Sequence, residues 1–180
     1  MNIELELIES LDAIDFDHMF SESFSRLELN FIWPVNVTTY EQKKEYFLNR
    51  LQSAIDGDWK LKNDDDTFLM MITKVDGVIV EFSAGYLEAD GGLSLHWNLT
   101  APVPGGNRNW RYSPEAQQAR KDFAVSIGAT SFKEHTYVGS LLYKTLKSRA
   151  TAGNYTIEEE IPPQPSFFPQ KLVVLTIRFN

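Results

Sequence analysis

The segment GGNRNWRYSPEAQQ, residues 105–118, combines residue types that suit the binding of an anion. Its candidate ligand-binding residues are Gly105, Gly106, Arg108, Arg111 and Ser113. The Ser-Pro-Glu run at 113–115 predicts a helix start, where unpaired amides and the helix dipole attract negative charge. Guanidinium groups can add direct contacts to a phosphate. The alternative interpretation is a surface turn with solvated arginines, and the sequence leaves both open.

The segment LSLHWNLT, residues 93–100, predicts a strand with one unusually polar face. Strict alternation would place residues 94, 96, 98 and 100 together on that face. Glu81, on the preceding predicted strand, can approach it across a hairpin. Glu81 or His96 could therefore deprotonate an amine, directly or through water. A structural hydrogen bond is the favoured interpretation for both residues.

Composition excludes several kinds of chemistry. With 17 basic and 25 acidic side chains the net charge is -8, so neither nucleic acid nor a membrane surface is an expected partner. The absence of cysteine removes disulfides and thiolate chemistry. The three histidines are far apart in sequence, so no metal site is expected. Neither a phosphate-binding Walker loop nor a Gly-x-Ser-x-Gly elbow occurs.

Length and apolar content predict a single domain over residues 1–180. A chain of 180 residues with 43% hydrophobic side chains can bury a core without metals or disulfides. The acidic N-terminal segment MNIELELIESLD does not have the pattern of a signal peptide, so we expect a cytoplasmic protein. The sequence does not indicate the oligomeric state.

The first half of the chain predicts a strand, two helices and a meander. Period-two alternation marks a strand near residues 3–8, and Asp12 is a candidate N-cap for a helix that ends near Asn30. Thr38 and Glu41 have the spacing of a capping box for a second helix. Turn signals at 76–77 and 90–92 then separate three antiparallel strands between residues 67 and 100.

The second half predicts two further helices, each followed by strand signals. Ser113 caps the third helix, ATSF at 129–132 forms a short strand, and Thr136 caps a fourth helix that ends at Gly153. A strand follows near residues 155–159, and KLVVLTIRF supplies the last one. The expected fold class is α/β, with a mixed, mostly antiparallel central sheet flanked by helices.

This order of elements resembles that of the GCN5-related N-acetyltransferases over nearly the whole chain. The resemblance implies acetyl-coenzyme A or another acyl-coenzyme A as co-substrate, bound by the loop before the third helix. In the family loop, Gln or Arg is followed after two residues by Gly, and after one more by Gly or Ala. Arg108 fits the first position, but Arg111 and Ser113 occupy the glycine positions. Coenzyme binding has therefore changed its mode or been lost.

The resemblance also implies a role for Tyr143 in GSLLYKTL. Many family members carry a tyrosine on the fourth helix that protonates the departing coenzyme thiolate. The alternative is a tyrosine at the edge of the core with a hydrated hydroxyl. Two functions follow: an acyl-coenzyme A-dependent N-acyltransferase acting on a small-molecule or peptide amine, or a non-catalytic binding or assembly module that has lost the coenzyme.

Overall fold

A seven-stranded sheet forms the centre of the structure, a computed structural model that describes residues 1–59, 63–103, 105–106, 110–111, 113–151, 156–166 and 168–179. The strands are β1 (Ile3–Ile8), β2 (Thr67–Val75), β3 (Val78–Leu87), β4 (Gly92–Thr100), β5 (Ser131–Tyr137), β6 (Thr156–Glu160) and β7 (Leu172–Arg178). The helices are α1 (Phe16–Asn30), α2 (Tyr40–Ile55), α3 (Pro114–Ser126) and α4 (Leu141–Thr151).

The sheet is mixed and mostly antiparallel, as predicted. Its strand order is β1-β2-β3-β4-β5-β7-β6, and only the β4–β5 pair is parallel among the described strands. The predicted meander is confirmed as β2, β3 and β4. Asp76 and Gly77 have φ values of 49° and 82° in the first turn, the left-handed conformation that a tight hairpin needs.

The starts of the first two long helices differ from the predicted ones by a few residues. The side chain of Asp15, and not of Asp12, caps α1 by accepting from the backbone N–H of His18. The capping box of α2 is formed by Thr39 and Gln42, one residue later than predicted. In both cases a nearby residue of suitable type caps the helix, because its side chain accepts from a free backbone N–H of the first turn.

The third predicted helix start is confirmed and the fourth is wrong. Ser113 caps α3 by accepting from the N–H of Ala116, 3.1 Å away. Thr136 lies inside β5, which is longer than the predicted ATSF strand. The Ser140 hydroxyl instead accepts from the N–H of Tyr143 at the start of α4. The predicted helix end at Gly153 and the start of the next strand at 155 lie outside the described residues.

The helices cover both faces of the sheet. On one face, α1 and α2 contribute Phe20 and Phe47 to a core that includes Phe82 and Trp97 of the sheet. On the other face, Ala124 of α3 packs with the β2 and β4 side chains. Within the part of the chain that the structure describes, no helix combines the length and apolarity needed to cross a membrane.

Candidate functional site

A gap opens in the sheet where β4 and β5 separate. Their parallel pairing begins at Gly92 with Ser131 and ends at Leu95 with Glu134, only halfway along β4. Beyond Leu95, residues 97–100 of β4 pair with β3 alone. The end of the shared pairing therefore places Glu134 at the point where the two strands diverge.

A β-bulge at His96 redirects the second half of β4. His96 has no partner in the register between β4 and β3, so it is the extra residue. Leu95 packs in the core on the α3 side, whereas Trp97 packs in the core under α1 and α2. Ser94 and Asn98 therefore lie on opposite faces, and the prediction of one polar face from 94 to 100 is wrong.

The gap opens into a cavity of about 1050 Å³ that α1, α2, α3, α4 and the sheet enclose together. Its wall is mixed, with apolar side chains and a group of charged and polar ones. The charged and polar residues of the wall include Arg50, Glu81, His96, Asn98, Arg111, Arg120, Glu134 and His135. They come from six different elements and loops, so only the folded chain brings them together.

The free edge of β4 presents main-chain groups to the gap. The N–H of Ala101 donates to the carbonyl of Val80 on β3, so alternation turns the amides of Thr100 and Asn98 to the opposite edge. Ser23 of α1 satisfies Thr100, since its hydroxyl donates to the Thr100 carbonyl and accepts from the Thr100 N–H. The main-chain groups of Asn98 remain on the side of the gap.

A buried carboxylate, Glu81, gathers two arginines beside this edge. Arg111 Nη2 lies 2.7 Å and Arg120 Nη2 lies 2.6 Å from its two oxygens. The Asn98 amide donates to Glu81 over 2.9 Å and the Thr73 hydroxyl over 3.1 Å. Glu81 was predicted to approach the polar face of β4. It contacts Asn98 on that strand, and not His96.

The environment of Glu81 holds it ionised. Burial opposes ionisation, but the charges of Arg120 and Arg111 and the hydrogen bonds that they and Asn98 donate outweigh it, so the pKa of Glu81 is far below its ordinary value. A carboxylate of such low basicity accepts protons poorly near neutral pH. The geometry of Glu81 suits an anchor for two arginines better than a general base.

Glu134 has the opposite electrostatic character. It lies on the cavity wall at the vertex of the gap and is partly exposed to the cavity. Burial raises the pKa of Glu134 to about 7, although the charges of Arg111 and Arg120 partly oppose that shift. A carboxyl group that titrates near neutral pH can exchange a proton with a bound molecule.

Two histidines meet across the parallel strands. The rings of His96 and His135 are 4.4 Å apart, and the Ser94 hydroxyl lies 3.3 Å and 2.7 Å from their Nε2 atoms. Burial lowers the pKa of His96 to about 3, with His135 and Arg50 adding to the shift. Burial and Lys133 lower the pKa of His135 to about 4. Both rings are therefore neutral near pH 7.

The start of α3 uses its own donors internally. The Ser113 hydroxyl accepts from the N–H of Ala116, and Pro114 has no N–H. The Glu115 carboxylate accepts from its own N–H and from the Ser113 hydroxyl, and these bonds lower its pKa. An external phosphate would have to displace Glu115 to use the first turn of this helix.

The loop residues predicted to bind an anion are distributed differently. Gly105 and Gly106 have φ values of 95° and 82°, and a Cβ at either position would meet no atom within 4 Å, which is the geometry of an open turn. Arg111 points inward and bonds Glu81 and Asn98. Its Nε and Nη1 atoms are buried and have no hydrogen-bond partner among the described residues. Arg108 lies outside the described residues.

Tyr143 is directed at β6. Its hydroxyl lies 3.3 Å from each carboxylate oxygen of Glu159, which also accepts from Lys147. The side of α4 that borders the cavity carries Leu142, Leu146 and Arg149. The role of Tyr143 as a general acid stays a prediction.

Arg50 was not singled out from the sequence, and three further residues of the cavity wall were also missed: Arg120, Glu134 and His135. Arg120 had a detectable signal, because it lies four residues from both Ala116 and Ala124 on the buried stripe of α3. A cation on such a stripe requires a partner. The other two depend on which strands are neighbours, and strand order is not encoded locally. No group of three metal-binding side chains occurs among the described residues.

Among known proteins, only solved structures resemble this chain, and the resemblance concerns the fold. No protein-family model matches the sequence, and no curated protein matches it. An acetyltransferase from Salmonella typhimurium that modifies the N-terminal serine of ribosomal protein L7/L12 superposes with a TM-score of 0.56 at 12% identity, covering 97% of this chain and 92% of that chain.

Two further solved structures cover both chains almost completely. The PaiA N-acetyltransferase from Thermoplasma acidophilum, in complex with coenzyme A, gives a TM-score of 0.53 at 9% identity, with coverage of 99% and 100%. The ribosomal-protein-S5-alanine acetyltransferase from Vibrio fischeri gives 0.53 at 13% identity, with coverage of 100% and 94%. The chain therefore has the fold of the GCN5-related N-acetyltransferases.

Proposed function

We propose that this protein transfers an acyl group from a coenzyme A thioester to a primary amine. The observation that carries the proposal is the gap between β4 and β5, which opens a large cavity beside a carboxyl group that titrates near neutral pH. The fold adds support, because solved structures with it include N-acetyltransferases, one of them in complex with coenzyme A.

The acyl end of such a co-substrate fits the gap. The main-chain groups of Asn98 face the opening and can pair with amide groups, as a neighbouring strand would. A bound thioester would supply an activated carbonyl carbon. The chain itself would orient that carbonyl through the β4 edge and exclude water with the apolar part of the cavity wall.

Glu134 is the proposed general base. An amine reaches its nucleophilic form only after losing a proton, and the Glu134 carboxylate can accept that proton directly or through water. With a pKa of about 7 the group is a stronger base than an ordinary carboxylate and is still substantially ionised at neutral pH. His96 and His135 are neutral and remain candidates for hydrogen bonding to the acceptor.

The phosphate end of the coenzyme does not fit the first turn of α3 as it stands, because Ser113 and Glu115 satisfy the donors there. Arg111 Nη2 is likewise paired with Glu81. These features favour a second candidate function, a non-catalytic module with the same fold that no longer binds the coenzyme. Retained coenzyme binding would require phosphate contacts elsewhere, and Arg108 remains a proposed one.

A titration followed by a transfer assay tests the proposal. Calorimetry with acetyl-coenzyme A should detect binding, and thiol release in the presence of a panel of amines should detect transfer. Glu134→Gln should lower the transfer rate by about 10² to 10⁴ and remove the rise in rate between pH 6 and 8. Glu158→Gln, an equivalent change on the exposed surface of β6, is the control and should alter neither.

Two results separate the candidates. Absence of acetyl-coenzyme A binding at millimolar ligand would reject the transferase and leave the non-catalytic module. Coenzyme binding with transfer that is unaffected by Glu134→Gln would retain the transferase and reject Glu134 as its base.

A further inference from the structure

Arg50 on α2 is a half-buried cation on the cavity wall that has no acidic partner among the described residues. Its Nη1 donates to the Tyr46 hydroxyl over 2.8 Å, and its guanidinium carbon lies 4.4 Å from the centroid of the Trp59 ring and 5.1 Å from that of Tyr46. No carboxylate of the described residues lies within ion-pair distance of Arg50. Arg111 and Arg120 are paired with Glu81, whereas Arg50 forms no ion pair within the described part of the chain.

Burial of a cation without an acidic partner is unfavourable, and it shifts the pKa of Arg50. Loss of hydration lowers the pKa of Arg50, while its contacts with Tyr46 recover only part of the shift. Stacking on the rings of Trp59 and Tyr46 orients the guanidinium. An anion with planar geometry is the natural complement to such a group.

The surroundings of Arg50 are rich in donors. Trp59 packs edge-on against Trp97, with ring centroids 5.2 Å apart, and its ring lies 6.1 Å from that of His96. The Trp97 indole N–H and the Tyr86 hydroxyl are buried without a hydrogen-bond partner among the described residues. All of these side chains border the same cavity.

The position of this cluster separates it from the start of α3. Trp59, Trp97 and Tyr86 belong to the core beneath α1 and α2, whereas α3 packs on the opposite face of the sheet. A ligand group at Arg50 would therefore enter the gap from the face away from α3. Arg50, His96 and Glu134 all line the same cavity, so a molecule held by Arg50 shares that cavity with the proposed base.

We propose that Arg50, backed by Trp59, binds a carboxylate of the acyl acceptor, so that the acceptor is an amine that also carries a carboxylate. The identification of the ligand as an acyl acceptor rests on the proposed transferase function, but the binding of a carboxylate at Arg50 does not depend on it. In a protein of net charge -8, an unpaired guanidinium in the cavity also gives anions a local point of attraction.

Equilibrium binding without coenzyme tests the site. The probes are N-acetylated α-, β- and γ-amino acids, each paired with its carboxamide, together with inorganic phosphate, titrated into the full-length protein by calorimetry or NMR. At least one carboxylate should bind and its carboxamide should bind at least about tenfold more weakly, as expected for loss of a charge-assisted contact.

The variants isolate the guanidinium. Arg50→Gln should weaken the carboxylate by about tenfold or more and abolish the preference over the carboxamide. Arg50→Lys, which keeps the charge without the planar group, should retain the preference at lower affinity. Lys44→Gln removes one charge from the same helix, at an ion pair with Asp17, and should leave binding unchanged. Circular dichroism checks that each variant is folded.

Several outcomes would overturn the inference. They are equal affinity for carboxylates and carboxamides, unchanged carboxylate binding in both Arg50 variants, or no carboxylate binding at about 10 mM probe. Phosphate binding that depends on Arg50 and excludes carboxylates would assign the site to a phosphate and reject the proposal. None of these results depends on acetyl-coenzyme A, whose binding tests the transferase separately.

Discussion

Replacement of Glu81 by Gln is the most informative perturbation of the buried charge cluster. The Glu81 side chain is only 4% exposed, and those of Arg111 and Arg120 are 12% and 24% exposed. The Gln side chain keeps the shape but removes the negative charge. It also turns an NH₂ group toward one of the two guanidiniums.

The expected loss follows from the charges that remain. Removal of one partner from a buried ion pair costs about 3 to 5 kcal/mol, because the other charge stays buried without compensation. Here two arginines lose their carboxylate at once, although Asn98 still accepts from Arg111 over 3.0 Å. For a chain of 180 residues, about 2 to 4 °C per kcal/mol translates this loss into a drop of about 6 to 20 °C in melting temperature.

Thermal and urea denaturation of Glu81→Gln provide the measurement. Glu158→Gln is the matched control, because Glu158 forms a comparable two-bond pair with Arg178 at the surface, where solvent screens the charges. An equal effect of the two substitutions would refute the reasoning. The pH dependence adds a check: the folded pKa of Glu81 is below the unfolded value of 4.5, so its stabilisation is complete above that pH and is lost progressively below it.

Two further predictions concern the β4–β5 region. His96 and His135 have folded pKa values below the ordinary 6.5, so the unfolded chain binds protons first as the pH falls. The free energy of unfolding should therefore decrease as the pH drops from 6.5 toward 4. Denaturation of His135→Gln at several pH values should show a pH slope that is smaller by about one proton. At Gly85 a Cβ would lie 1.9 Å from a β4 carbonyl oxygen, so Gly85→Ala should cost about 3 kcal/mol or more. At Gly92 a Cβ would meet only side-chain atoms, of Lys133 and Asp90, which can move, so Gly92→Ala should cost less. Equal losses of stability in urea denaturation would contradict this.

The order and type of the elements were predictable because their signals are local. Hairpin turns need residues that tolerate positive φ, as Gly77 does, and helix starts need side chains that accept from free amides, as Ser113 does. The errors at the first two helix starts arose where nearby residues have equivalent chemistry. Asp12 and Asp15 are both of a type that caps helices, and in the structure it is Asp15 that accepts from the N–H of His18.

The site was less predictable, because it depends on pairing between distant segments. Strict alternation along β4 failed at His96, since a bulge is a property of two strands and not of one. Glu134 carried no signal of a raised pKa, because that shift comes from burial in a cavity that four helices and the sheet enclose. The contact of Arg111 with Glu81 joins residues 30 positions apart, and neither segment shows it alone.

The two carboxyl groups beside the gap show how one site can separate structural and chemical roles. Glu81 is buried and Glu134 is partly buried in the same region, and both experience the charges of Arg111 and Arg120. Glu81 is in direct contact with the two guanidiniums and is fixed in its ionised form, so its charge holds the arginines in place. Glu134 feels those charges only at longer range, so burial dominates and its proton remains exchangeable near pH 7. Arg111, which the sequence predicts as a phosphate ligand, lies against Glu81 in the structure. The negative charge of Glu81 opposes the effect of the arginines on Glu134 and so limits how far they lower its pKa.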